Sequence, residues 1–79
     1  MYYLLRDDTL IYLANSPEGI VNEINSKLAN FRTYGGLNFE VEDNIIKVFY
    51  GRMSTNLRVR TDTPEEIAIF EDVTVIKNF

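Results

Sequence analysis

The apolar and polar positions of this chain fall into blocks with two distinct periods. "YYLLR" and "TLIYLA", residues 2–6 and 9–14, are dense in aromatic and branched side chains and are separated by Asp7-Asp8. That is the pattern of two strands joined by a tight turn. Their apolar runs do not alternate cleanly, which predicts burial on both faces for parts of both strands. Ser16-Pro17-Glu18 then starts a helix. Serine is a strong N-cap, proline at the first helical position loses no hydrogen bond, and a first-turn glutamate faces the positive end of the helix dipole. Ile20, Ile24 and Leu28 recur every four residues with Val21 and Phe31 beside them, while Asn22, Glu23, Ser26, Lys27 and Asn30 form the polar face. Each apolar side chain on that stripe contributes about 1.5–3 kcal/mol if fully buried. Gly35-Gly36 ends the segment.

Beyond the glycines the period changes to two. In "LNFEVED", Leu37, Phe39 and Val41 share one face and Asn38, Glu40 and Glu42 the other, the signature of a strand with one wet side. Asp43-Asn44 turns the chain, "IIKVFY" returns as the next strand, a longer loop is expected over residues 51–55, and "NLRVRT" alternates again. Thr63 and Glu66 then form a capping box around Pro64. The following "IAIF" is ambiguous in period, and the cap and proline assign it to a helix. "VTVIKNF" is expected to close the chain as a sixth strand.

"NSPEGI" and "DTPEEI" raise the question of an internal repeat. At an offset of 47 residues "TLIYLANSPEGI" lies over "NLRVRTDTPEEI", and the identities are confined to Leu, Pro, Glu and Ile. Capping chemistry and burial select those residues on their own, so the similarity reads as one helix-starting device used twice. The predicted order is ββαβ-ββαβ: a single α+β domain over residues 1–79, with a mostly antiparallel sheet and two helices on one face.

Connection geometry sorts the loops into two ends. Strands flanking a crossover helix point the same way, so the second and third strands are expected to run together, as are the fifth and sixth. The end where strands enter helices then collects Glu18, Asp43, Asp62, Glu65 and Glu66 and is acidic. The opposite end collects the loops containing Arg32, Tyr34, Tyr50, Arg52 and Met53.

Composition narrows the function classes. The chain has 79 residues, 46% of them hydrophobic and 25% charged, as in an ordinary globular domain. It contains no cysteine, which excludes disulfides and thiolate chemistry and fits a reducing compartment, and no histidine, which removes the commonest general base and metal ligand near neutral pH. The N-terminal "MYYLLRDD" lacks a basic region and is too short for a signal peptide or a membrane span, so a soluble, cytoplasmic protein is expected. The net charge of −4 weighs against general nucleic-acid binding. It is uneven, however: residues 32–60 carry five basic and three acidic side chains, while the flanks carry three and nine.

The remaining motifs point away from catalysis. Asp7-Asp8 lacks further oxygen ligands at calcium-loop spacing and reads as a solvated turn rather than a metal site. Gly35-Gly36 lacks the context of a phosphate-binding loop, and no cofactor motif is present. Glu40 and Glu42 on one strand face, and Arg58 and Arg60 on another, are expected to pair across strands. The basic-aromatic set Arg32, Tyr34, Tyr50, Arg52 and Met53 suits a protein partner or, as the alternative, a single nucleic-acid strand.

In size, acidity and lack of catalytic groups the chain resembles, in profile, the small inhibitors that phages and mobile elements direct against host enzymes, restriction and CRISPR effectors among them. That resemblance implies a non-enzymatic protein-interaction module. Its acidic end, with Asp62, Glu65 and Glu66, would imitate phosphates to a nucleic-acid-binding host enzyme. A third class is a small enzyme or a structural oligomer. The terminal segments "MYYLL" and "VTVIKNF" are nearly free of charge and proline, so an edge strand at one terminus, open to a homodimer or to an added strand, is expected.

Overall fold

The structure, a computed structural model, describes residues 1–77. Strands β1 (Tyr2–Arg6) and β2 (Thr9–Ala14) form a hairpin, followed by helix α1 (Pro17–Lys27) and a 3-10 segment (Ala29–Tyr34). Strands β3 (Leu37–Glu42), β4 (Ile45–Tyr50) and β5 (Met53–Thr61) follow as a meander, and helix α2 (Pro64–Lys77) comes last. The five strands form one sheet in the order β2-β1-β5-β4-β3, and every neighbouring pair is antiparallel. The α+β class is therefore as expected. β2 and β3, on either side of α1, do run in the same direction, but they lie at opposite edges of the sheet.

One face of the sheet carries the core. Tyr2 and Leu4 of β1, Leu57 and Val59 of β5, Ile46, Val48 and Tyr50 of β4 and Leu37 of β3 are buried against Ile20, Val21 and Ile24 of α1 and Ile67 and Phe70 of α2. The Phe70 ring meets Phe39 edge-on at 4.9 Å and lies 6.0 Å from the Tyr2 ring, so α2 ties β1 and β3 together from above. No helix among the described residues is long and apolar enough to cross a membrane.

Both helices start where their sequences predict, but only half of the capping box at α2 forms: the Glu66 amide bonds to the Thr63 carbonyl at 3.2 Å, and the Thr63 hydroxyl donates to the Glu66 carboxylate instead of accepting from that amide. Ser16 Oγ accepts from the Gly19 amide at 3.2 Å. At α2 the Thr63 amide donates to Glu66 Oε1 at 3.0 Å. Helix α1 stops at Lys27, earlier than the apolar stripe suggested, and Phe31 reaches the core from the 3-10 segment.

The expected sixth strand does not exist among the described residues: 73–77 continue α2, and 78–79 lie outside the described residues. The β-branched run favours a strand locally, yet nothing in "FEDVTV" breaks the helix begun at Pro64. Thr74 fits by bonding its hydroxyl back to the Phe70 and Glu71 carbonyls at 3.0 and 3.1 Å. With no sixth strand, β5 has no parallel partner.

The turns differ in one place from expectation. Asp7 and Asp8 take φ of 49° and 67°, the left-handed pair that a two-residue hairpin turn demands and that aspartate tolerates. The loop expected over residues 51–55 is instead a tight turn at Gly51-Arg52, with Met53 already in β5.

Candidate functional site

The acidic end assembles, and its carboxylates Glu66 and Asp62 are already engaged. Glu66 bonds to the amide and, at 3.1 Å, the hydroxyl of Thr63, and it also pairs with the Met1 amino group. Asp62 lies 3.4 Å from the same amino group. The amino group, with help from Thr63, holds the Glu66 carboxyl below its ordinary range, and the Tyr3 hydroxyl does the same for Asp62. Glu65 is exposed on the first turn of α2. The end is therefore a cap and an internal ion cluster first, with Glu65 projecting from it.

The opposite rim also assembles, less one of its rings. The Gly51 amide donates to the Gly36 carbonyl at 2.7 Å, which sets Tyr34-Gly35 against Gly51. Arg32, Tyr34 and Arg52 are exposed and Met53 is half-buried. The Tyr34 ring packs 5.8 Å from Phe31. Tyr50 is only 1% exposed, and its hydroxyl donates to Asn25 Oδ1 at 2.7 Å. Burial raises the Tyr50 phenol above its ordinary range, and the nearby Arg32 charge partly offsets this. Tyr50 is thus a core residue and cannot stack on a ligand, because alternation along β4 points it inward with Val48 and Ile46.

A surface that the sequence reading did not single out is the sheet face opposite the helices. Ladder register lays two rows of side chains across it. One runs Leu13, Tyr3, Arg60, Ile45, Glu42, and the next runs Leu10, Leu5, Arg58, Lys47, Glu40. The face is apolar at the β2 edge, cationic along β5 and acidic at the β3 edge. The expected pairing of Arg58 and Arg60 with Glu40 and Glu42 fails for a topological reason: β4 lies between β5 and β3. Lys47 takes the place of the arginines and pairs with Glu42, lowering that carboxyl's pKa. Arg58 turns along its own strand, with Nη1 donating to the Thr55 and Leu57 carbonyls at 2.7 Å each. Arg60 lies 5.7 Å from the centre of the Tyr3 ring. A shallow polar cleft of about 500 Å³ opens beside the hairpin turn among Asp7, Asp8, Asn56 and Arg58.

The edges of the sheet also differ from the sequence expectation. "MYYLL" is not an edge: β1 is paired on both sides, and the true edges are β2 and β3. β3 is guarded by Glu40 and Glu42. β2 has no charged residue and no proline in six positions, and Leu10, Tyr12 and Leu13 are 49%, 39% and 47% exposed. Leu5, next to Leu10 in the ladder, is 6% exposed although it is on the face without helices. The signal was present in "TLIYLA", whose uncharged run needed only the strand order to become an exposed edge. Among the described residues no group of three acidic side chains could hold a metal ion, and no buried side-chain polar atom lacks a hydrogen bond. No protein-family profile, curated protein or solved structure matches the chain.

Proposed function

We propose that this chain is a non-enzymatic protein-interaction module that meets its partner along β2 and the adjoining apolar part of the helix-free sheet face. One observation carries the reading. Of the six large hydrophobic side chains exposed among the described residues, three fall within four positions of one uncharged edge strand. An unpaired row of backbone donors and acceptors beside exposed leucines is a template for another strand. The cations on β5 and the exposed Glu65 lie apart from that edge, where they set orientation and encounter rate rather than the bulk of the affinity. The cytoplasm suits a chain without cysteine. An inhibitor of a nucleic-acid-processing host enzyme is the form of this reading that the acidic end favours.

The test is capture of a binding protein by the purified chain, with three variants in parallel. Leu10→Lys with Leu13→Lys is expected to lose the captured protein, and Arg32→Ala with Arg52→Ala to keep it. Glu65→Lys is expected to slow association. The opposite pattern, with binding to a single-stranded oligonucleotide that weakens steeply with salt, would replace this reading by nucleic-acid binding at the Arg32 rim.

A further inference from the structure

We infer that β2 pairs with β2 of a second copy of this chain, antiparallel across a two-fold axis, to make one ten-stranded sheet. The inference rests on the reading of β2 as the contact surface and names its occupant. Strand register decides it. In the β1–β2 ladder Leu10 lies opposite Leu5 and Leu13 opposite Tyr3, both on the helix-free face, because an irregularity between Leu4 and Leu5 leaves Ile11 as the extra residue on β2. Thr9, Tyr12 and Ala14 belong to the other face, opposite Arg6, Leu4 and Tyr2, and Ile11 packs against the core on that same side. When two such strands run antiparallel, residues facing each other must share a face. One register satisfies this over the whole strand. It sets Leu10 opposite Leu13 of the second copy, Thr9 opposite Ala14, and Ile11 opposite Tyr12.

The pairing is self-complementary. The two-fold joins four exposed leucines into one apolar cluster, continued on each side by Leu5 and Tyr3. The strand is neutral along its length, so the charge of −4 on each copy is not focused at the seam. The other edge gives no such solution. β3 against itself sets acidic faces together, and β3 against β2 sets Glu40 and Glu42 among leucines and leaves free edges that propagate without closing. Six residues a side is well below the roughly 20–30 of a standard interface, so the dissociation constant is expected on the order of 10 µM.

The experiment is sedimentation equilibrium of the purified chain from about 1 to 500 µM, a range that brackets that constant. The apparent mass should rise from 9.2 kDa toward twice that value. Leu10→Lys with Leu13→Lys should weaken association at least about tenfold, because each lysine then faces a lysine of the second copy across the seam. Both leucines are about half exposed, so the monomer should keep its circular-dichroism spectrum. Register is read separately, since the chain has no cysteine of its own. A mixture of L10C and L13C chains should form an interchain disulfide at least about tenfold faster than either variant alone, because only the mixed pair faces directly across the seam.

A mass of one chain throughout, a dimer indifferent to the lysines, or equal cross-linking by a single variant would overturn the inference. If the chain stays monomeric while the same lysines abolish capture of a different protein, the second-copy inference fails and the protein-binding reading stands. If the dimer forms and the lysines leave capture untouched, the reverse holds.

Discussion

Gly35 and Gly51 lie back to back. A Cβ on Gly35 would fall 2.7 Å from the Cα of Gly51, and one on Gly51 would fall 2.2 Å from the Tyr34 carbonyl oxygen. Both also take positive φ, 133° and 58°. The contact joins the end of the 3-10 segment to the β4–β5 turn, and Asn38 Nδ2 reinforces it by donating to the Gly36 carbonyl at 3.1 Å and the Gly51 carbonyl at 3.3 Å.

Gly51→Ala should therefore be costly for two reasons, a left-handed backbone and a collision with main chain that has no free end to move. The expected loss is about 2–4 kcal/mol of unfolding free energy, read from urea denaturation. A loss below about 0.5 kcal/mol, the level of an ordinary surface change, would show that the turn can open without consequence.

Ser16→Ala should destabilise the domain by about 1 kcal/mol, because the Gly19 amide loses its acceptor. Ser16→Asp should be close to neutral, since aspartate caps as well and adds charge at the positive end of α1. Equal losses for the two variants would assign the effect to something other than capping.

The start of each helix was legible because a cap is local chemistry: Ser16 and Thr63 announce themselves within four residues. The hairpin at Asp7-Asp8 and the β3–β4 turn at Asp43-Asn44 were legible for the same reason, as turn residues between apolar runs, whereas the β4–β5 turn is tighter than the loop expected over 51–55. What failed depended on distant partners. The β-branched run over 73–77 reads as strand until the helix begun at Pro64 is seen to meet no breaker. "MYYLL" and "TLIYLA" are equally apolar, and only the insertion of β1 between β2 and β5 decides which becomes an edge. Tyr50 looked like a rim residue because its neighbours Gly51 and Arg52 are one, yet alternation along β4 commits it to the core.

Acid should destabilise the domain through Glu66. Its carboxyl is held below the ordinary value of 4.5 by the Met1 amino group, with Thr63 adding to the effect, so its folded pKa is depressed relative to the unfolded chain. Such a group contributes stability that is complete above 4.5 and is lost as the pH falls through the lowered folded value. Asp62, lowered by the Tyr3 hydroxyl and the same amino group, acts with the same sign. Glu66→Gln keeps an acceptor for the Thr63 cap and removes the titrating charge. Its urea midpoint should be lower than that of the parent chain near pH 7, with the gap closing toward pH 3. A constant gap across that range would mean that the charge of Glu66 contributes nothing.

Thr55 offers the sharpest test of how β4 and β5 hold together. The ladder between them skips at Val48, where the register shifts between Lys47 and Phe49. The Val48 carbonyl instead accepts from the Thr55 hydroxyl at 2.8 Å, and the Thr55 hydroxyl oxygen in turn accepts from the Leu57 amide at 3.2 Å. Thr55 is the one polar residue buried among those described. Thr55→Val preserves the shape and removes both bonds, leaving a carbonyl and an amide unpaired away from water. The expected cost is about 1–3 kcal/mol, with faster hydrogen exchange at the Leu57 amide. Thr55→Ser keeps the oxygen and loses a methyl group, a change of about 0.8 kcal/mol. If the valine variant is as stable as the parent, or the serine variant suffers as much as the valine one, the hydroxyl is not what closes the gap in the ladder.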